Sequence, residues 1–396
     1  MADEPDLTEM RILVLAPQPF YVPRGTPIAV RALLTVLASN GHDCDALVFA
    51  EGEDVEIENV RVFRTPALPG LGNMSPGFSV KKIICDAFLA PLAAWRMMRT
   101  RYDLVIAVEE ASFIALALKP FFRVPYIYDV DSSIPEQLDD KYTLPGWLRR
   151  FFEAAERVAL RGSVGAITCC RALQDLVHSQ VPDLPVQTLE DVTLVDGAPI
   201  STRPEDCRFD EPVVMYIGNL EGYQGVKLLI EGFARAVKDG PAARLVIIGG
   251  TEAHVAEHRE LAQKLGVGDR VSLLGPRPVE RIGEYMAEAD IVVSPRTQGR
   301  NTPMKVYSYL DSGRPLLATR LPTHTQVLDD RISMLVDPTP EDMARGLTTL
   351  LGDPAIGQGL ARAAQDRVRR EFSPDAYARK LTTFMTDSII PKLSTA

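Results

Sequence analysis

Long apolar runs are missing from this chain of 396 residues. No uninterrupted stretch approaches the roughly 20 residues of a membrane span, which excludes a bundle of transmembrane helices. Cysteine is scarce. The five present (Cys44, Cys85, Cys169, Cys170, Cys207) show no metal-ligand spacing, which excludes a cysteine-held metal module and fits a reducing compartment. Basic excess is also lacking. Lys and Arg total 43 against 53 Asp and Glu, and the net charge of -10 argues against general nucleic-acid binding. The acidic opening MADEPDLTEM has no apolar core, so no signal peptide is expected and a cytoplasmic location is. What remains is ordinary for a soluble globular protein: 46% hydrophobic and 24% charged residues, in a chain long enough for two domains.

Short apolar runs alternate with helical patterns along the whole chain. Arg11–Ala16, Asp103–Val108 and Pro125–Val130 read as buried strands, as do Val213–Ile217, Arg244–Ile248 and Asp290–Ser294. Helices are predicted over Pro27–Asn40, Ser79–Arg101, Trp147–Arg161, Gly225–Val237, Glu252–Leu265, Pro303–Ser312 and Pro354–Glu371, among others. Such alternation implies an α/β protein of two parallel, doubly wound sheets. The region near Val195–Asp210 has no clear period, and the linker is placed there. Ligands of such sheets bind at the carboxyl ends of the strands, where Gly25, Glu109, Asp131, Gly218, Gly249 and Arg296 fall.

Two stretches share one construction. In the second half a strand leads into Arg296, Arg300, Asn301, Thr302 and Pro303, then a helix containing Lys305 and Ser308. Thr302 suits the N-cap and Pro303 the first helical position, and free amides beside three cations would hold an anion. In the first half Arg24, Gly25, Thr26 and Pro27 open a helix after a strand. The repetition suggests two half-sites around one anionic ligand. Glu109, Glu110, Asp129 and Asp131 are strand-end acids, either solvated or catalytic. His254 and His258 match an H-x-x-E-H zinc pattern, but no third ligand is evident and a surface helix is the better reading. Ser79–Arg101 carries five basic residues around an apolar stripe. It is either a membrane-surface helix or a core helix with snorkelling basic ends.

The run Pro303-Met304-Lys305-Val306-Tyr307-Ser308-Tyr309 through Gly313-Arg314-Pro315 resembles the P-x-K-x-x-E-Y-x-x-x-G-x-P signature of retaining GT-B glycosyltransferases of family 4. Gly218-Asn219-Leu220 with Gln224-Gly225-Val226 is similar to that family's G-R-L-x-x-x-K-G-V segment, and Ile247–Gly250 to its V-I-G-x-G turn. Arg24-Gly25 falls at its Gly-Gly loop. Five functional positions depart. The two glutamates of the E-x7-E motif become Arg300 and Ser308, the diphosphate-gripping Arg and Lys become Asn219 and Gln224, and the first-domain histidine becomes Val108. Arg296, Arg300 and Lys305 offer substitute charge, and Glu109 and Glu110 substitute polarity.

The resemblance implies two facing Rossmann-like domains. These are an acceptor-binding domain at 1–198 completed by a crossover helix at 374–396, and a nucleotide-sugar-binding domain at 199–373. It implies transfer of a hexose-type sugar from a nucleotide diphosphate sugar to a hydroxyl acceptor, with retention and without metal or cofactor. Gly25, Thr26, Gly218, Asn219, Gln224, Gly249, Arg296, Arg300, Asn301, Thr302, Lys305 and Ser308 are the expected donor contacts. Glu109, Glu110 and Asp131 are the expected catalytic groups. The acceptor is expected to be a lipid or glycan, with peripheral contact at an anionic membrane surface. A non-catalytic nucleotide-sugar-binding protein and a nucleotide-sugar epimerase remain as alternatives.

Overall fold

The computed structural model describes residues 9–22, 25–67, 80–133, 135, 145–193, 203–238 and 240–393. Arg24, Ser79 and much of the expected linker lie outside them. The chain divides into two units, residues 1–190 with 377–396, and residues 191–376.

The first unit holds parallel strands β1 (Arg11–Pro19), β2 (Asp43–Phe49), β3 (Val60–Arg64), β4 (Leu104–Val108), β5 (Tyr126–Val130), β6 (Gly165–Thr168) and β7 (Val186–Thr188), in the order β3-β2-β1-β4-β5-β6-β7. The central strands are buried along their whole length because helices cover both faces, which is why they read as continuous apolar runs. The strand order reverses between β1 and β4, and sheets of this kind bind ligands at the carboxyl ends beside such a reversal. A helix over Ala111–Phe122 leads from β4 towards β5 and is absent from the sequence reading. The terminal helix Pro374–Phe384 continues through a wider turn, Met385–Ile389. It packs so tightly that a Cβ at Gly165 would lie 2.6 Å from Ile389 and 3.1 Å from Phe384.

The helix Val80–Arg99 corrects one expectation. Lys82 and Arg96 do not join a basic outer face. Lys82 is 9% exposed, and Arg96 turns inward to the wholly buried Asp45 of β2. Arg61 at 2.7 Å and the Tyr102 hydroxyl complete the shell around that carboxylate. A buried charge needs such partners, so the helix turns these two basic residues inward. Its outward stripe is apolar instead: Ile84, Phe88, Trp95 and Met98 are exposed.

The second unit repeats the plan with β8 (Val213–Ile217), β9 (Arg244–Ile248), β10 (Val271–Gly275), β11 (Ile291–Ser294), β12 (Leu316–Thr319) and β13 (Met334–Val336). The order is β10-β9-β8-β11-β12-β13, all parallel, and the reversal falls between β8 and β11. None of the described helices is long and apolar enough to cross a membrane.

Candidate functional site

At the β8/β11 switch point the second unit gathers two cations around two glycine turns. Gly218 ends β8 at φ +152°, and a Cβ there would sit 2.7 Å from Lys305 Nζ. Gly249 ends β9 at φ +115°, where a Cβ would meet the Gly218 carbonyl oxygen at 2.0 Å. Only glycine leaves room for these backbones to converge. Lys305 Nζ donates to the Tyr216 hydroxyl at 2.8 Å and to Gln224 Oε1 at 3.0 Å, and lies over the Tyr216 ring. Arg296 donates to the Asn301 carbonyl at 2.7 Å and to Thr323 Oγ1 at 3.0 Å, with its guanidinium over the Tyr223 ring. Among the described residues neither cation forms an ion pair with a carboxylate. Burial holds the Lys305 ammonium well below its usual range, and nearby Arg296 lowers it further. Burial lowers Arg296 as well. An anion arriving here would relieve both costs.

The helix start is corrected. The helix begins at Lys305 with Met304 as its cap, not at Pro303 behind Thr302. The amides of Val306 and Tyr307 already donate to the carbonyls of Pro303 and Met304, a tight first turn that takes up donors expected to be free. The Thr302 hydroxyl is buried with no partner among the described residues. Asn219 is exposed and Gln224 buried against Lys305, so an amine reaches one of the two positions where the family carries cations. Arg300 is exposed, whereas Ser308 is buried in the helix.

The residues that fix this site were not picked out from the sequence. Thr319 Oγ1 donates to the Arg296 carbonyl at 2.5 Å, Thr323 Oγ1 to the Asn301 carbonyl at 2.6 Å, and Gln326 Nε2 to the Arg300 carbonyl at 2.7 Å. His324, wholly buried, bonds Ser294 Oγ at 2.8 Å through Nε2, and Thr319 through Nδ1. A threonine, a histidine and a glutamine behind a strand carry no motif. The signal available was only their closeness to β12.

Burial pushes the His324 imidazole down to about 4 from an ordinary 6.5, so it is neutral in the fold. The stability it contributes is complete above pH 6.5 and is lost as pH falls towards 4. The expected loss is on the order of 2–3 kcal/mol. Thermal melts of wild type and His324→Gln at neutral and acid pH test this: the gap between them should shrink in acid. A gap independent of pH would refute the neutral, buried imidazole.

The first unit places the expected catalytic acids together. Glu109 follows β4 and Asp131 follows β5, next to the β1/β4 reversal. Glu109 adopts φ +49°, a costly conformation for a non-glycine residue, of the kind that clusters at functional sites. Lys82 bridges Glu109 at 2.8 Å and Glu110 at 2.7 Å, and Ser132 Oγ donates to Glu109 Oε1 at 3.0 Å. Burial pushes the Glu110 carboxyl up to about 7 although Lys82 opposes it. Burial and then Glu109 push Asp131 up to about 7 against a hydrogen bond from Thr26. Asp86 rises to about 8 through burial and Glu110. Thr26 serves Asp131, and Arg24, the cation of the anion half-site expected around Gly25 and Thr26, lies outside the described residues. Gly25 is the first residue of its helix, with open space where a Cβ would stand. The zinc pattern is explained locally, since His258 Nδ1 bonds the His254 carbonyl at 2.7 Å within one helix. No group of three potential metal ligands is found among the described residues.

Two family patterns cover most of the sequence: "Glycosyl transferase 4-like domain" matches residues 24–188 and "Glycosyl transferases group 1" matches residues 211–353. The chain belongs to the family-4 type of GT-B glycosyltransferases. This glycosyltransferase is 27% identical to D-inositol 3-phosphate glycosyltransferase of Corynebacterium glutamicum, across 92% of each chain. Its fold superimposes on sucrose-phosphate synthase from Thermosynechococcus elongatus with a TM-score of 0.78 at 18% identity, covering 98% of this chain and 100% of that one. Anabaena HepE in complex with UDP-glucose gives a TM-score of 0.70 at 18% identity, with the same coverage. The two parallel-sheet units of this glycosyltransferase are the GT-B architecture.

Proposed function

We propose that this glycosyltransferase moves a hexose-type sugar from a nucleotide diphosphate sugar to a hydroxyl acceptor with retention at the anomeric carbon. The carrying observation is the pair Arg296 and Lys305, partly buried cations that have no carboxylate partner among the described residues, beside the Gly218 and Gly249 turns. Breaking a sugar–phosphate bond requires stabilising a departing diphosphate, and two desolvated cations supply that. The structural neighbour with UDP-glucose supports a nucleotide-sugar donor, and the corynebacterial relative, by its name, uses a phosphorylated cyclitol acceptor. The second unit takes the donor and the acid cluster of the first unit takes the acceptor. Within that cluster the carboxyls near neutral pKa hold or release protons close to the acceptor hydroxyl. Neither a metal nor a cofactor is assigned.

The test is calorimetry with UDP, GDP and ADP, followed by incubation of the binding nucleotide's glucose and galactose conjugates with candidate acceptors in EDTA. An α-linked product from an α-linked donor supports the reading. Tight nucleotide binding with no transfer would favour a non-catalytic binder. Epimerised donor would favour the epimerase.

The outward stripe of Ile84, Phe88, Trp95 and Met98 supports a lipid-bearing acceptor, because apolar side chains aligned on one helix face suit a bilayer interface. Lys81 and Arg99 flank the stripe and remain exposed, which favours anionic lipid. Vesicle flotation of wild type and a Trp95→Glu/Met98→Glu variant checks this. Wild type should float with anionic vesicles at low salt and the variant should not. Equal behaviour would redirect the search to a soluble acceptor.

A further inference from the structure

Exposed apolar side chains gather on one side of the first unit. Among the described residues twelve large hydrophobic side chains are exposed, and nine of them lie on the helices Val80–Arg99, Ala111–Phe122 and Gly146–Gly162. These helices follow β3, β4 and β5, and each carries the chain the same way across the sheet, so right-handed crossovers put all three on one face. They pack side by side over a shared core that takes Leu89 and Ala93, Ala111 and Ala115, and Ala159 and Leu160. The third helix is the barest. Trp147 is 71% exposed, Phe151 61% and Val158 54%, each more than Ile84, Phe88 or Trp95 of the first helix. With Ala154 they recur every three or four residues, opposite the side that buries Glu156, Ala159 and Leu160. Arg150, Arg157 and Arg161 flank this stripe, are exposed, and form no ion pair among the described residues. Of the helix's two acids, Glu156 is buried and Glu153 is bridged by Arg149 at 2.9 Å.

We propose that helix Gly146–Gly162 is a membrane anchor: it lies in the surface of an anionic bilayer, with Trp147, Phe151 and Val158 among the acyl chains and Arg150, Arg157 and Arg161 against the headgroups. The inference rests on the reading of the acceptor as lipid-bearing, and it turns a contact through one helix into a plane of three. Phe121, 80% exposed near the end of the middle helix, belongs to the same plane. A helix held in a membrane surface needs apolar side chains on one face and cations at its margins, which is this arrangement. Charge decides the partner. A chain of net charge -10 approaches an anionic surface only through a local cationic patch, and three unpaired arginines beside a bare aromatic stripe supply one. A second copy of the chain fits worse. A two-fold contact pairs the patch with itself, so the arginines of one stripe would face those of the other.

The chain has two tryptophans, Trp95 and Trp147, one on each outer helix. Trp95→Phe and Trp147→Phe therefore report the two helices separately. The full chain is mixed with vesicles of phosphatidylcholine, with or without phosphatidylglycerol, whose acyl chains carry bromine and quench any tryptophan they touch. In Trp95→Phe, the remaining Trp147 should be quenched by the anionic vesicles at low salt and not by the neutral ones. Trp147→Glu/Phe151→Glu should lower affinity for anionic vesicles at least about tenfold, as expected for two aromatic rings withdrawn from lipid. Its calorimetric response to UDP, GDP and ADP should match wild type. If that variant does not fold, Arg150→Gln/Arg157→Gln/Arg161→Gln should lose the preference for anionic vesicles and most of the salt dependence. Quenching of Trp95 without Trp147 overturns the inference and leaves the lipid-bearing acceptor standing. Quenching of neither, together with failure to float, overturns both. A dimer in sedimentation that Trp147→Glu/Phe151→Glu dissociates, without vesicle binding, assigns the face to a second copy and overturns the inference as well.

Discussion

Lys305→Ala is expected to weaken binding of the donor's nucleoside diphosphate by about 1.5–3 kcal/mol, the range of a charge-assisted contact. That is on the order of ten- to more than a hundredfold in Kd. The size follows from the surroundings. Lys305 Nζ is held by two neutral oxygens, of Tyr216 and Gln224, and its ammonium is disfavoured by burial and by Arg296. A diphosphate is the partner that would restore the charge. Arg296→Ala should lose a comparable amount, and the double variant more than the sum, because removing Arg296 relieves the Lys305 ammonium and so softens the single loss. Arg300→Ala, on an exposed side chain, should cost far less. Unchanged affinity in both Lys305→Ala and Arg296→Ala would remove the anion site from the second unit.

Lys82→Met is expected to destabilise the first unit by about 3–5 kcal/mol, because it strips two buried carboxylates of their shared cation. The penalty should depend on pH in a definite sense. Glu110 and Asp131 are already pushed up to about 7, and without Lys82 they rise further. Below that range they take up protons and the unpaired charge disappears. The loss should therefore be greatest in mildly alkaline buffer and smallest near pH 5. Thermal denaturation of wild type and variant at the two pH values reads it. A pH-independent loss would mean that Lys82 acts by packing alone. The cation–carboxylate account would then be wrong.

Both sheets were legible because each buried strand is a short apolar run and each amphipathic helix shows its period. The helix Ala111–Phe122 was not, since its sequence ASFIALALKPFF is apolar on nearly every side and has a proline near its end, leaving no polar face to set the phase. The gathering of Gly218, Gly249, Arg296 and Lys305 was legible, since all are strand-end or motif residues. Thr302 was misread because a Thr-Pro pair is a strong local capping signal. The chain instead makes a tight turn at Pro303 before the helix proper. Lys82 was misread because position on a basic, amphipathic helix says nothing of which cations turn inward. Only the partner acids, 27 and 28 residues away, decide it.

The tethering of residues 295–303 has a consequence for how such sites change over time. Thr319, Thr323 and Gln326 donate to the carbonyls of Arg296, Asn301 and Arg300, and Thr323 also accepts from the Arg296 side chain. Carbonyls are common to all twenty amino acids. Much of the loop's path is thus insulated from its own mutations, and an exposed residue such as Arg300 can be exchanged without loss of the frame that presents it. An arginine and a serine can occupy the positions of two glutamates, at 300 and 308, while the segment keeps its shape. Selectivity can drift here at little cost in stability, whereas loss of one silent threonine behind the strand would release the whole segment.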